Sequence, residues 1–131
     1  MVPLSPETKR IFLLAMSEAS RLGHTHIESE HLLLGLARIG GEVSQELLNL
    51  GLTLERLRLL VGQTKTSNTD SPPTYTAATK QLVALAKTVA QSKRVTPKDL
   101  LRAISQTPTS RAYEILKTSG SWERLELFLQ S

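Results

Sequence analysis

Between Ile27 and Leu36 the chain reads IESEHLLLGL, in which Glu28, Ser29, Glu30 and His31 place two carboxylates, a hydroxyl and an imidazole directly before an apolar run. Side chains of this kind at a helix start accept hydrogen bonds from the unpaired N–H groups of the first turn, and an acid there sits at the positive end of the helix dipole. Leu32, Leu33, Leu34 and Leu36 make the following helix apolar around most of its circumference, so it is expected to be buried on its sides and open only at its N-terminus. The chemistry on offer is ligand binding by a carboxylate, a hydroxyl and backbone N–H donors. His24, His26 and His31 with Glu28 and Glu30 include metal-ligating residue types, but their spacing matches no standard ligand pattern and no metal is expected. His31 is expected at the edge of the core with one ring nitrogen hydrogen-bonded. Catalytic signatures are missing: there is no G-x-S-x-G elbow, no cysteine and no H-E-x-x-H. GQTKT at 62–66 lacks the spacer and second glycine of a phosphate loop and reads as linker. No enzymatic activity and no cofactor are expected.

The elements that hold this stretch are short helices with legible ends. Ser5, Pro6 and Glu7 start the first helix, which runs to about Leu22 and stops at Gly23. His24 to His26 lead into the Ile27–Leu36 helix, which closes near Gly40 and Gly41. A third helix spans Glu42 to Leu50 and ends at Gly51; Thr53 caps a fourth, Leu54 to Val61, closed by Gly62. The segment GQTKTSNTDSPPTY has no apolar period and reads as a linker over 63–75.

Past the linker the pattern returns. At a shift of 71, Thr8, Lys9, Ile11, Leu14, Ala15 and Ala19 fall on Thr79, Lys80, Leu82, Leu85, Ala86 and Ala90. At a shift of 68, Ile27, Leu32, Leu33 and Leu36 fall on Val95, Leu100, Leu101 and Ile104, while Glu46, Glu55 and Arg56 fall on Glu114, Glu123 and Arg124. Helix starts are expected at Thr96 with Pro97, at Thr107 with Pro108, and at Ser121 before Trp122. The fold class is all-α: two pseudo-symmetric four-helix repeats, 5–62 and 76–130, in a single domain over 1–131.

A chain of 131 residues is long enough to bury a core without disulfides, and zero cysteines suit a reducing compartment. No secretory segment follows Met1 and no apolar run approaches the roughly 20 residues a membrane span needs, so no membrane partner is expected. The net charge of +4 is uneven: residues 1–64 carry six Lys or Arg against seven acids, residues 65–131 ten against five. The cations are scattered and no aromatic residues interleave with them, which is the pattern of a solvated face rather than of a nucleic-acid interface.

These residues resemble a known family. RLGH at Arg21–His24, the stretch Ile27–Leu36 and the Leu-Gly turn at 50–52 look like the N-terminal repeat domain of the Clp unfoldases, especially the ClpC type, and the resemblance extends over nearly the whole chain. In the second repeat it rests on apolar spacing and KDLL at 98–101. The resemblance implies a domain without chemistry of its own that recruits adaptor proteins and substrates to Clp ATPase and protease components, in some bacteria by binding phosphorylated arginine. It implies a cytoplasmic or plastid stromal location. It maps the family's ligand-contacting pair onto Ser29 and Glu30, within a candidate ligand-binding set of Glu28, Ser29, Glu30 and His31: a carboxylate binds a guanidinium through two parallel N–H···O bonds, and hydroxyl and amide donors suit a phosphate. The second-repeat counterparts include Thr96, Pro97 and Lys98; lysine accepts no hydrogen bond and repels a guanidinium, which argues against a second equivalent site. Without the resemblance, Ser29 and Glu30 read better as a plain helix start worth about 1 kcal/mol or less apiece, and the resemblance brings the two readings level. A stand-alone accessory subunit of a Clp protease complex and a small basic nucleic-acid binder are the alternative functions.

Overall fold

The computed structural model describes residues 2–62 and 72–131. Helices α1 (Pro6–Arg21), α2 (Ser29–Arg38), α3 (Glu42–Asn49) and α4 (Leu54–Val61) form the first repeat; α5 (Ala77–Val89), α6 (Pro97–Ser105), α7 (Arg111–Thr118) and α8 (Trp122–Gln130) form the second. Two-residue strands β1 (His26–Ile27) and β2 (Thr74–Tyr75) complete the elements. The fold is all-α in two repeats, as the sequence pattern predicts. Most of the linker expected over 63–75 lies outside the described residues; its end, Thr74–Tyr75, is the strand β2.

Local capping follows the residue types. Thr8 N–H donates to Ser5 Oγ at 3.2 Å, and at the shift-71 positions Thr79 N–H donates to Thr76 Oγ1 at the same 3.2 Å. In both caps the two hydroxyl oxygens are 2.8 Å apart. The expected start at Thr107–Pro108 is a turn instead. α7 begins at Arg111, where Ser110 Oγ accepts from Tyr113 N–H at 3.1 Å and Ser110 N–H donates back to the Thr107 carbonyl at 3.0 Å. Thr107 spends its own hydroxyl on the Ala103 carbonyl, at 2.8 Å, so it extends the end of α6 and caps nothing.

α2 is the centre of the core. Leu32, Leu33, Leu34 and Leu36 are all fully buried, between α1 on one side and α3, α4, α6 and α7 on the others. The approach to α1 is close enough that a Cβ on Gly35 would lie 2.7 Å from the Ile11 carbonyl oxygen. Glu18 of α1 lies beneath these helices, fully buried, and its carboxylate accepts from Arg38 of α2 at 2.8 Å and from two nitrogens of Arg58 of α4, each at 2.8 Å. The hydrogen bond from Arg58 is the main reason the Glu18 carboxyl is held below its ordinary value, against the opposing cost of burial.

The repeats are joined by exchanged edges. β1 of the first repeat pairs in parallel with β2, which leads into the second, matching His26 to Thr74 and Ile27 to Tyr75. The counterpart of Ile27, Val95, pairs with Leu4, the counterpart of Tyr75. Thus Ser5 N–H donates to the Val95 carbonyl at 2.9 Å, and Thr76 N–H to the Ile27 carbonyl at 3.4 Å. A groove of about 400 Å³ lies along this seam, lined by Leu4 and Tyr75, Phe12 and Val83, and Lys9 and Lys80, which are three pairs related by the repeat.

Candidate functional site

The four residues singled out at the start of α2 are placed differently from one another. Glu28 is the exposed N-cap, with extended backbone (φ −116°, ψ 179°). Its N–H donates to His31 Nδ1 at 2.9 Å. His31 is 1% exposed and uses both ring nitrogens: because Nδ1 accepts from the backbone, Nε2 carries the proton of the neutral ring and donates to His24 Nδ1 at 2.7 Å. The expectation of one bonded nitrogen at the core edge is thereby corrected to two bonded nitrogens inside it. Burial, helped by the nearby His24, lowers the His31 value to about 4, against an upward pull from Glu18.

Ser29 is buried, and its hydroxyl serves the other repeat: Oγ accepts from Ala112 N–H, in the first turn of α7, at 3.1 Å. Glu30 is half-buried at the surface of a cleft. Burial is the main cause that raises its carboxyl above the ordinary value; the like charge of Glu28 adds to this, while its own backbone N–H, Arg111 and His24 oppose it. Among the described residues no cation forms an ion pair with Glu30.

That cleft has a volume of about 250 Å³ and is built from three first turns: Glu28, Ser29 and Glu30 of α2; Thr76 and Thr79 of α5; Ser110 and Arg111 of α7, with Thr107 and Thr109 from the preceding turn. Helix N-termini present unpaired N–H groups and a positive dipole end, so three of them around one hollow favour an anionic group there. Glu30 at the rim favours a cation beside it. Glu28 and Glu30 also border a second, polar hollow of about 350 Å³ on the other side, shared with His24, His26 and His31. The contributions of α5 and α7 were not foreseen from the sequence. The one available signal was the repeat itself, since a two-fold arrangement brings the start of one repeat's second helix to the other repeat.

The second-repeat positions are occupied otherwise. Thr96 caps α6: Asp99 N–H donates to its Oγ1 at 3.3 Å, and Thr96 N–H donates to Asp99 Oδ2 at 2.9 Å. Asp99 thus does for α6 what His31 does for α2. Lys98 Nζ donates to the Ser131 carbonyl at 2.8 Å and lies 4.6 Å from the centre of the Phe128 ring. Other cations of this half are similarly engaged, Arg102 with Asp99 at 2.8 Å and Arg124 with Glu46 at 2.9 Å. Among the described residues no three His, Cys, Asp or Glu side chains are grouped to hold a metal ion, and no helix is long and apolar enough to cross a membrane.

A family model described as the Clp repeat (R) N-terminal domain matches residues 1–51. The chain is 36% identical over 88 residues to the negative regulator of genetic competence ClpC/MecB of Bacillus subtilis, which covers 63% of this chain and 11% of that protein. It is 46% identical over 61 residues to the chloroplastic chaperone protein ClpC1 of Arabidopsis thaliana, covering 46% of this chain and 7% of that one. The crystal structure of the N-terminal domain of the caseinolytic protease associated chaperone ClpD from Arabidopsis thaliana superposes with a TM-score of 0.71 at 21% identity, over 89% of this chain and 87% of that one. The likeness in fold therefore spans both repeats, whereas the family model covers the first.

Proposed function

We propose that the chain is a member of the Clp N-terminal domain family, which its similarities support, and that it is a recruitment module: it binds adaptor or substrate proteins for a Clp-type unfoldase and performs no reaction itself. Its cleft at the mouth of α2 reads phosphorylated arginine on those proteins. The observation that carries this reading is Glu30, a half-buried carboxylate without a cation partner among the described residues, beside three helix N-termini that favour an oxyanion. A guanidinium laid against Glu30 forms two parallel N–H···O bonds and offsets the desolvation that raises its carboxyl. Ser29 supports the site indirectly, since its bond to Ala112 holds α7 against α2.

Calorimetric titration with free phosphoarginine tests the proposal, with plain arginine and a Glu30→Ala variant beside it. The expected result is saturable binding of phosphoarginine that the variant loses and arginine does not match. Absence of binding by the intact chain overturns the reading and reduces Glu30 to a helix-start residue.

A further inference from the structure

Glu30 accounts for one end of the proposed ligand; the other end needs a partner too. We propose that Arg111 is that partner, the side chain that takes the phosphoryl oxygens of a phosphorylated guanidine whose nitrogen end lies on Glu30. The proposal rests on the recruitment reading and adds a specificity-determining residue to it.

Arg111 and Glu30 line the same cleft of about 250 Å³ from opposite repeats, and among the described residues they form no ion pair with each other or with any other side chain. Unlike charges sharing one small hollow attract, so their separation needs a cause, and the surroundings supply it. Arg111 is tethered from behind, where one terminal nitrogen donates to the Leu60 carbonyl of α4 at 2.9 Å. Its backbone is fixed as well, because the next residue, Ala112, donates its N–H to the buried Ser29 Oγ at 3.1 Å. Glu30 is fixed one residue beyond Ser29 on α2. A positive and a negative group that make no ion pair therefore line one hollow of about 250 Å³, with donors of the exposed Arg111 guanidinium still unused.

A ligand complementary to that arrangement is dipolar over a short distance, cationic where it meets Glu30 and anionic where it meets Arg111. A phosphoguanidine has this form within a single functional group. A plain arginine side chain satisfies only Glu30, and inorganic phosphate only Arg111, so the pair of residues reads the modification and not merely the residue bearing it. The arrangement also occurs once: at a shift of 68 the positions of Glu30 and Arg111 fall on Lys98 and Val43, which cannot reproduce it. One ligand per chain follows.

The full chain is titrated by calorimetry with phosphoarginine, arginine and inorganic phosphate, as wild type and as Glu30→Gln, Arg111→Gln and Arg111→Lys, with circular dichroism to verify the fold of each. Arg111→Gln should lose roughly 10- to 100-fold in phosphoarginine affinity, the range of a charge-assisted hydrogen bond. It should not weaken arginine binding, because Arg111 repels a guanidinium seated on Glu30, and it should flatten the salt dependence of phosphoarginine binding, while Arg111→Lys recovers part of the loss. Glu30→Gln should weaken phosphoarginine and arginine alike. Wild-type affinity for phosphoarginine in a folded Arg111→Gln chain overturns the role of Arg111 and leaves the Glu30 reading standing. Failure of the wild type itself to bind phosphoarginine overturns both, and a stoichiometry of two overturns the single dipolar site.

Discussion

At the scale of single residues, His31 and Asp99 show how one structural task is met by different chemistry. Each sits three residues past an N-cap and accepts that cap's backbone N–H, at 2.9 Å in both cases. An imidazole does this only while neutral, which makes the first repeat sensitive to acid in a way the second is not. The folded-state value of His31, about 4, lies below the ordinary 6.5, so folding favours its neutral form. Its contribution is complete above about pH 6.5 and is lost as the pH falls toward 4, a change of about 3 kcal/mol. Urea denaturation across that window should show the loss, and a His31→Gln variant should not. Glu18, also lowered, acts below its ordinary 4.5 and is thus separable. A flat wild-type profile between pH 6.5 and 4 would remove His31 as the cause. The motif around His31 was legible as a polar cluster at a helix start. Its second hydrogen bond was not, because that depends on where the preceding loop carries His24.

At the scale of elements, helix ends were legible where cap and apolar period agree, as at Ser5, Thr53 and Thr96. They were misread at Thr107–Pro108, where the residue types of a helix start occur but the apolar period begins later, with Ala112 and Ile115. The paired strands left no signal, since two residues are too few to alternate. Nor does sequence reveal that the backbones of α1 and α2 come together at Gly35. With a Cβ placed 2.7 Å from the Ile11 carbonyl, Gly35→Ala must move one helix or the other. The gain in helix propensity, about 1 kcal/mol, should be outweighed by overpacking of about 1–3 kcal/mol. Thermal denaturation that shows the variant more stable than wild type would contradict this packing.

At the scale of the molecule, the internal repeat told most, since the matched positions foretold two like units and their caps. It could not tell how the units meet, and the candidate cleft lies at that meeting. Edge exchange makes neither repeat complete alone: Val95 donates to the Pro3 carbonyl and accepts from Ser5 N–H, while the Ile27 carbonyl accepts from Thr76 N–H. Unfolding should accordingly be one transition. Trp122 fluorescence, which reports the second repeat only, and far-ultraviolet circular dichroism, which reports both, should share a midpoint; separate midpoints would show that the repeats are independent. The walls of the cleft belong to α2 on one side and to α5 and α7 on the other, so its shape exists only while the halves are together. Whatever settles there is a clasp on the fold, and by mass action free ligand at a hundred times its dissociation constant adds about 2.7 kcal/mol to stability. For this domain the melting temperature becomes a gauge of occupancy, readable before any partner protein has been identified.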